Sequence, residues 1–427
     1  MIKAPKNPNY SVTVVEIKNL YPLENSDFLL GTLIFGNQVV VSKDVKVGDI
    51  GIFIPVEAQL SVDFCHNNNL FRDETKNKDT EKKGYIDDNR RVRAVKLRGN
   101  RSEGLFTGLD ALEYLKTGTK DKLKVGDEFD TLYDKEICRK YVVKHKKKRG
   151  QTPKAQTKHK DKLVDGQFKF HEDTSQFGRN VHKFSPEDWI SITYKIHGTS
   201  GISSYVQCKK PLKWYEKFAK WLGINVKDKE YDYIYSSRRV IKNPELNPNA
   251  AHFYGEDIWG LAHKELEPYL KKGQTFYYEI AGYLPDGTYI QKDYDYGCDT
   301  GKFKTYIYRI TETNEDGQTI EYSPRQVQQF CRKYDLNAVP EMFYGQVKEF
   351  SDERMTKENW DALLLQTLQE KYNNKNCYIC RNEVPEEGVV IRKDILELEA
   401  YKLKSSRFYE WETKELDKGE INIEDDE

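Results

Sequence analysis

Lys195 closes a strand-like run, Trp189-Ile190-Ser191-Ile192-Thr193-Tyr194, and opens the segment Lys195-Ile196-His197-Gly198-Thr199-Ser200. A lysine acts as a nucleophile only after losing its proton, against a reference pKa of about 10.4. Neighbouring cations favour the neutral amine. Lys402 and Lys404, in Tyr401-Lys402-Leu403-Lys404, are two residues apart. On a strand both ammonium groups leave the same face, roughly 7 Å apart at the backbone. Such a row suits a phosphate and would lower the pKa of a lysine beside it. Glu279, in Phe276-Tyr277-Tyr278-Glu279-Ile280-Ala281-Gly282, and Glu387, in Glu386-Glu387-Gly388-Val389-Val390-Ile391-Arg392, carry hard oxygen ligands for a divalent cation or its waters. Tyr308, in Thr305-Tyr306-Ile307-Tyr308-Arg309-Ile310, offers a flat apolar face for a purine. Singly, each has a plainer explanation: a lone lysine is usually solvated, and a strand tyrosine usually packs in a core.

These segments, with Ser236-Ser237-Arg238-Arg239 between the first and the third, occur in one order along the chain, each on a strand or strand end. In that order they resemble the motifs of the covalent nucleotidyltransferases: ATP-dependent DNA and RNA ligases and mRNA capping enzymes. In that family the first motif is Lys-x-Asp/His/Glu-Gly, the fourth Glu-Gly-hydrophobic-Val and the fifth Lys-x-Lys. The resemblance spans roughly residues 190 to 405. It implies ATP and Mg²⁺ or Mn²⁺ as cofactors. It implies that Lys195 forms a lysyl-AMP phosphoramidate and expels pyrophosphate. Arg238, rather than Arg239, would contact ribose or phosphate. Glu279 would take the ribose hydroxyl or metal-bound water, and Tyr308 would stack on adenine. Glu387 would bind the metal or its hydration shell, and Lys402 and Lys404 would hold the AMP phosphate. The Ile196 amide would read an adenine edge.

Two departures narrow the branch. His197 replaces the Asp usual in DNA ligases and capping enzymes, and only 23 residues follow Lys404, too few for an OB domain there. A β-rich module stands in front instead. That arrangement resembles RNA ligases built as an N-terminal OB domain plus a nucleotidyltransferase domain, and Leu97 to Leu105 is similar to that group as well. The resemblance implies joining of 3′-OH and 5′-phosphate ends at nicks in duplexes, with RNA on the 3′-OH side. A GTP-dependent, capping-type guanylyltransferase and a non-catalytic nucleic-acid-binding protein are the alternatives. The expected partner is RNA or an RNA-containing nicked duplex, and the protein is expected to be a monomer.

The elements that must position these residues read as α+β. Residues 1–140 alternate short apolar runs with turn signals and suggest an OB-like antiparallel barrel. Residues 66–89 read as a long polar loop. In Arg91-Val92-Arg93-Ala94 the arginines share one face, which suits either a nucleic-acid backbone or plain solvation, and the phase slip at Val95 suggests a bulge. Residues 141–164 form a basic linker, and 139–160 hold ten Lys/Arg and no acid. Residues 165–414 are expected to form the nucleotidyltransferase domain, of antiparallel sheets with flanking helices. Helices are expected at 212–222, 250–270, from Ser323-Pro324 onward and at 352–372. Residues 415–427, with seven acids and one Lys, are expected to fray. Cys377-Tyr378-Ile379-Cys380 lacks a second ligand pair for zinc and reads as a strand. No apolar run spans a membrane and no signal peptide precedes the module, so the expected location is the cytoplasm, or the nucleus in a eukaryote.

Net charge is zero, from 69 Lys+Arg against 69 Asp+Glu, which alone points away from a polyanion partner. The neutrality is a cancellation: residues 1–164 hold 32 basic and 23 acidic residues, residues 165–427 hold 37 and 46. Polynucleotide binding is therefore expected to lean on the front part and to be salt-sensitive.

Overall fold

The structure is a computed structural model that describes residues 2–143, 162–244, 246, 254–351, 355–356 and 359–419. The front part is built of short antiparallel ladders. Val12–Glu16 lies between Glu128–Phe129 and Ile50–Ile54, which in turn pairs with Leu105–Gly108. The β-branched residues Val12, Val14, Ile52 and Ile54 bury their side chains against Phe64, Leu105 and Phe129. Leu29–Ile34 and Asn37–Ser42 form a hairpin closed by Phe35 and Gly36, both at positive φ (54° and 82°), as a two-residue turn of the primed type requires. The expected loop at 66–89 is mostly irregular, after a short helix at Val62–Asn67.

The back part consists of two five-stranded sheets. In the first, Trp189–Tyr194 lies between Glu341–Gln346 and Gly388–Lys393, and Ala400–Lys404 pairs with the far edge of Gly388–Lys393. In the second, Thr199–Lys209 lies between Lys229–Ser237 and Gln274–Gly282, followed by Phe303–Thr313. The chain crosses from one sheet to the other at residues 195–198. The α+β expectation holds. Pro324–Tyr334 starts with a capping box between Ser323 and Gln326, as the Ser-Pro signal implied. Trp360–Tyr372 seats Leu364, Leu368 and Tyr372 against Ile190, Ile192, Val389 and Ile391. Between these two helices lies Glu341–Gln346, an edge strand of the first sheet, so 323–372 is not wholly helical.

Four expectations need correction. Arg91 and Arg93 present no basic face to solvent or to nucleic acid. The Arg91 side chain is fully buried, donating to Asp417 and, at 3.3 Å, to Glu57 and, at 3.0 Å, to the Thr413 carbonyl; Arg93 pairs with Asp87 and Asp417. Period-2 alternation cannot tell a solvated charge from one that meets an acid 326 residues away. The regular strand begins only at Val95, and Arg98-Gly99, both at positive φ, turn it back onto Asn100–Ser102. The expected fraying fails at residues 415–417, which complete the helix Ser406–Asp417 and pair with Lys292 and Arg91; residues 420–427 lie outside the described residues. Cys377–Cys380 occupies a bend rather than a strand, and the hydrogen bond from Cys380 lowers the pKa of the Cys377 thiol. Of the basic stretch, Arg139 and Lys140 belong to Cys138–Lys140, which pairs with Ala58–Leu60; residues 144–161 lie outside the described residues.

Candidate active site

The crossing at 195–198 places Lys195 between the sheets. Its amide donates to the Gly388 carbonyl at 2.9 Å, and its ammonium lies 2.8 Å from Glu387 Oε1. Glu387 is buried, and its second oxygen accepts no hydrogen bond from the described residues while facing His197 Nδ1 at 3.8 Å. His197 is itself buried: its amide donates to the Tyr296 hydroxyl at 2.5 Å, and its ring packs on Tyr294, Phe408 and Trp411. Gly198 lies close against a neighbouring strand. A Cβ there would lie 2.4 Å from the Ile280 carbonyl oxygen.

One cleft is lined by Lys195, Ile196, Arg238, Glu279, Tyr308, Glu387, Lys402 and Lys404, all eight residues singled out from the sequence. The register explains how. Val390 pairs with both Thr193 and Lys402, so a row of residues crosses the first sheet beside Lys195. Glu279 faces Ser200 across the second sheet, and the Ser200 hydroxyl donates to it at 2.9 Å. Tyr308 is half-buried, with its hydroxyl 2.9 Å from His171 Nδ1. Arg238 follows the end of Lys229–Ser237 and pairs with Asp173. Arg239 reaches the same carboxylate at 3.3 Å but is far more exposed, at 58% against 13%. Burial works the other way, yet Arg238 holds the Asp173 carboxyl below its usual value. Ile196 is buried in the cluster around Tyr294 and Tyr296.

The two lysines of the fifth motif diverge electrostatically. Burial, helped by Lys404, Lys195 and Arg238, pushes Lys402 down to about 7. Burial also opposes the charge on Lys404, but Glu412 accepts from it at 2.8 and 2.9 Å and leaves its pKa well above the usual value. The cation row thus acts on one of its own members, a point the sequence reading had made only for Lys195.

Sequence reasoning missed several walls of the cleft. Asn9, Tyr10, Glu57 and Lys140 come from the front part, Glu412 and Leu416 from the last helix, and His171 and Asp173 from the stretch ahead of the first sheet. Ser405, which caps the last helix by accepting from the Phe408 amide, was the one local signal for Glu412. Nothing local marked the others.

An OB-fold domain family matches residues 11–109. A search of curated proteins finds no match. Solved structures of an RNA ligase from Naegleria gruberi superpose over nearly the whole chain. A lysine-to-alanine variant with ATP and Mn has a TM-score of 0.56 at 13% identity, covering 94% of this chain and 98% of that one. The form with PPi gives 0.55 and 14%, with 94% and 98% covered. A second lysine-to-alanine variant with ATP and Mn gives 0.56 and 13%, with 96% and 99% covered. The chain therefore shares the fold of those RNA ligase structures; here an OB-fold domain precedes two mostly antiparallel sheets.

Proposed function

We propose that the protein is an ATP-dependent RNA ligase that joins 3′-OH and 5′-phosphate ends, at nicks in duplexes with RNA on the 3′-OH side. The observation that carries this reading is Lys195, 2.8 Å from the buried Glu387 and in one cleft with Lys402 and Lys404. The fold shared with the RNA ligase structures supports it.

In this reading the Lys195 nitrogen attacks the α-phosphorus of ATP. A P–N bond forms, the P–O bond to pyrophosphate breaks, and the lysine proton leaves. The AMP passes next to the 5′-phosphate of the nick, freeing Lys195. The 3′-OH then attacks that phosphate and expels AMP, sealing the strand. Lys402 and Lys404 hold the AMP phosphate, Tyr308 stacks on adenine, Arg238 contacts ribose or phosphate, and the Ile196 amide reads a base edge. Glu279 takes the ribose hydroxyl or a metal-bound water. Mg²⁺ asks for only one or two carboxylates beside substrate phosphates. Glu279 and Glu387 fit that need, and the second Glu387 oxygen, which accepts no hydrogen bond among the described residues, is available for it. A bound Mg²⁺ or Mn²⁺ would neutralise charge developing on phosphate oxygens. The front module, residues 1–140, holds the duplex backbone, and the part from 165 through the end of the last helix at Asp417 forms the catalytic domain.

The test is retention of label on the protein from α-labelled ATP or GTP with Mg²⁺ or Mn²⁺. It is followed by sealing of nicked duplexes with RNA or DNA on each side of the nick. Label from ATP, lost in Lys195→Ala, and sealing that requires RNA at the 3′-OH are the expected results. Label from GTP alone, or none, overturns the proposal.

A further inference from the structure

The hairpin Thr199–Lys209/Lys229–Ser237 begins beside Lys195 and returns to Arg238. Its strands carry it roughly 35 Å from the cleft, at about 3.3 Å per residue. At the far end stands a two-turn helix, Trp214–Trp221, with no buried residue. Trp214 is 80% exposed, Trp221 77%, Phe218 55% and Tyr215 50%. Trp214, Phe218 and Trp221, at spacings of four and three, share one face. The Phe218 and Trp221 rings lie nearly parallel, with centroids 5.7 Å apart. Lys213, Lys217 and Lys220 form the neighbouring stripe, and residues 209–229 hold seven Lys against Glu216 and Asp228.

A helix this short is marginal on its own, and exposed aromatic surface of this extent marks a contact site. Lysines in that excess call for a polyanion, and ring faces beside them call for bases. We propose that this helix is a second RNA-binding site, at which unpaired bases of a single-stranded segment stack on Trp214, Phe218 and Trp221 while the lysine stripe follows the phosphates. Stacking on aromatics beside a cationic track is how sequence-tolerant single-strand sites work. The inference rests on RNA being the substrate, and places a distal contact on the strands that carry the cleft.

The test uses the full chain and a fluorescent single-stranded RNA of about ten nucleotides, within the span of such sites. Trp214→Ala combined with Trp221→Ala should weaken binding by about thirtyfold or more, at about 1–3 kcal/mol per stacked base. Lys217→Glu combined with Lys220→Glu should weaken it too, and flatten the log–log salt dependence by about one to two units. Labelling of Lys195 by ATP without RNA should be unchanged in both variants. If the wild-type protein never takes label, the proposed function fails while the RNA-binding comparison still reads. RNA affinity unchanged in the tryptophan variant overturns the inference. So does loss of binding to phosphatidylserine vesicles, or of self-association, with RNA affinity intact, because the face would then serve a membrane or a second copy.

Discussion

Nucleotide binding at pH 8 should take up nearly one proton, and Lys402 should receive it. Burial, with the charges of Lys404, Lys195 and Arg238, holds Lys402 at about 7. At pH 8 only about a tenth of such groups carry a proton. A phosphate placed against Lys402 supplies the missing counter-charge and restores the ordinary value near 10.4, at which almost all are charged. The difference is about 0.9 proton per site at pH 8, falling to about 0.1 at pH 6. Calorimetric titration with an α,β-methylene ATP analogue, in buffers of different ionisation enthalpy, gives this number as a slope. Lys402→Met should abolish the slope and weaken binding. An unchanged slope in that variant, or none in a wild-type protein that binds normally, would refute the reasoning. The same group gives stability a sign. With the native pKa below the unfolded one, the unfolded chain binds more protons between about 7 and 10.5. Stability from Lys402 therefore rises with pH across that window, and the cost is complete below it.

Arg91→Ala removes one partner of a buried ionic cluster and should destabilise the protein by about 3–5 kcal/mol, read by urea or thermal unfolding. Gly388→Ala should cut lysine adenylation sharply. Gly388 has φ +143°, and a Cβ would lie 2.1 Å from the Leu403 carbonyl oxygen, forcing apart the strands that carry Glu387 and Lys402; a wild-type labelling rate would contradict this. Burial pushes Glu103 up to about 7, so its stabilising protonated form is complete below about 4.5 and lost as pH rises through 7. Glu103→Gln should flatten that part of a melting-temperature profile, and an identical profile would exclude Glu103 as its source. Deleting residues 1–140 should lower both adenylation and sealing, since Asn9, Tyr10, Glu57 and Lys140 wall the cleft. Full adenylation by the remaining chain would show that the wall is dispensable.

That last prediction goes beyond the sequence reading, in which the front part serves polynucleotide binding alone. The reason is range. Strand motifs are local: the two-residue period of Tyr401-Lys402-Leu403-Lys404 places both lysines on one face whatever surrounds them, and the structure has them so. Lys195 at a strand end and Glu387 just ahead of Gly388 could be read the same way, as could the Ser323 cap. The meeting of Arg91 with Asp417 could not, because each looks like an ordinary surface charge within its own segment.

By itself, then, the sequence determined the α+β class and the β-rich front, and its ordered motifs, by their resemblance, marked the eight residues that gather in one cleft; spacing along a strand put Lys402 and Lys404 on one face. Only the tertiary structure decided which partner each charge meets. Glu412 on Lys404, Asp173 on Arg238 and Asp417 on Arg91 come from other elements, and those pairings set the charge state of the cleft and bind the front part to its wall. Electrostatic energy depends on distance in space and on burial, and neither is encoded in the order of residues over a short window.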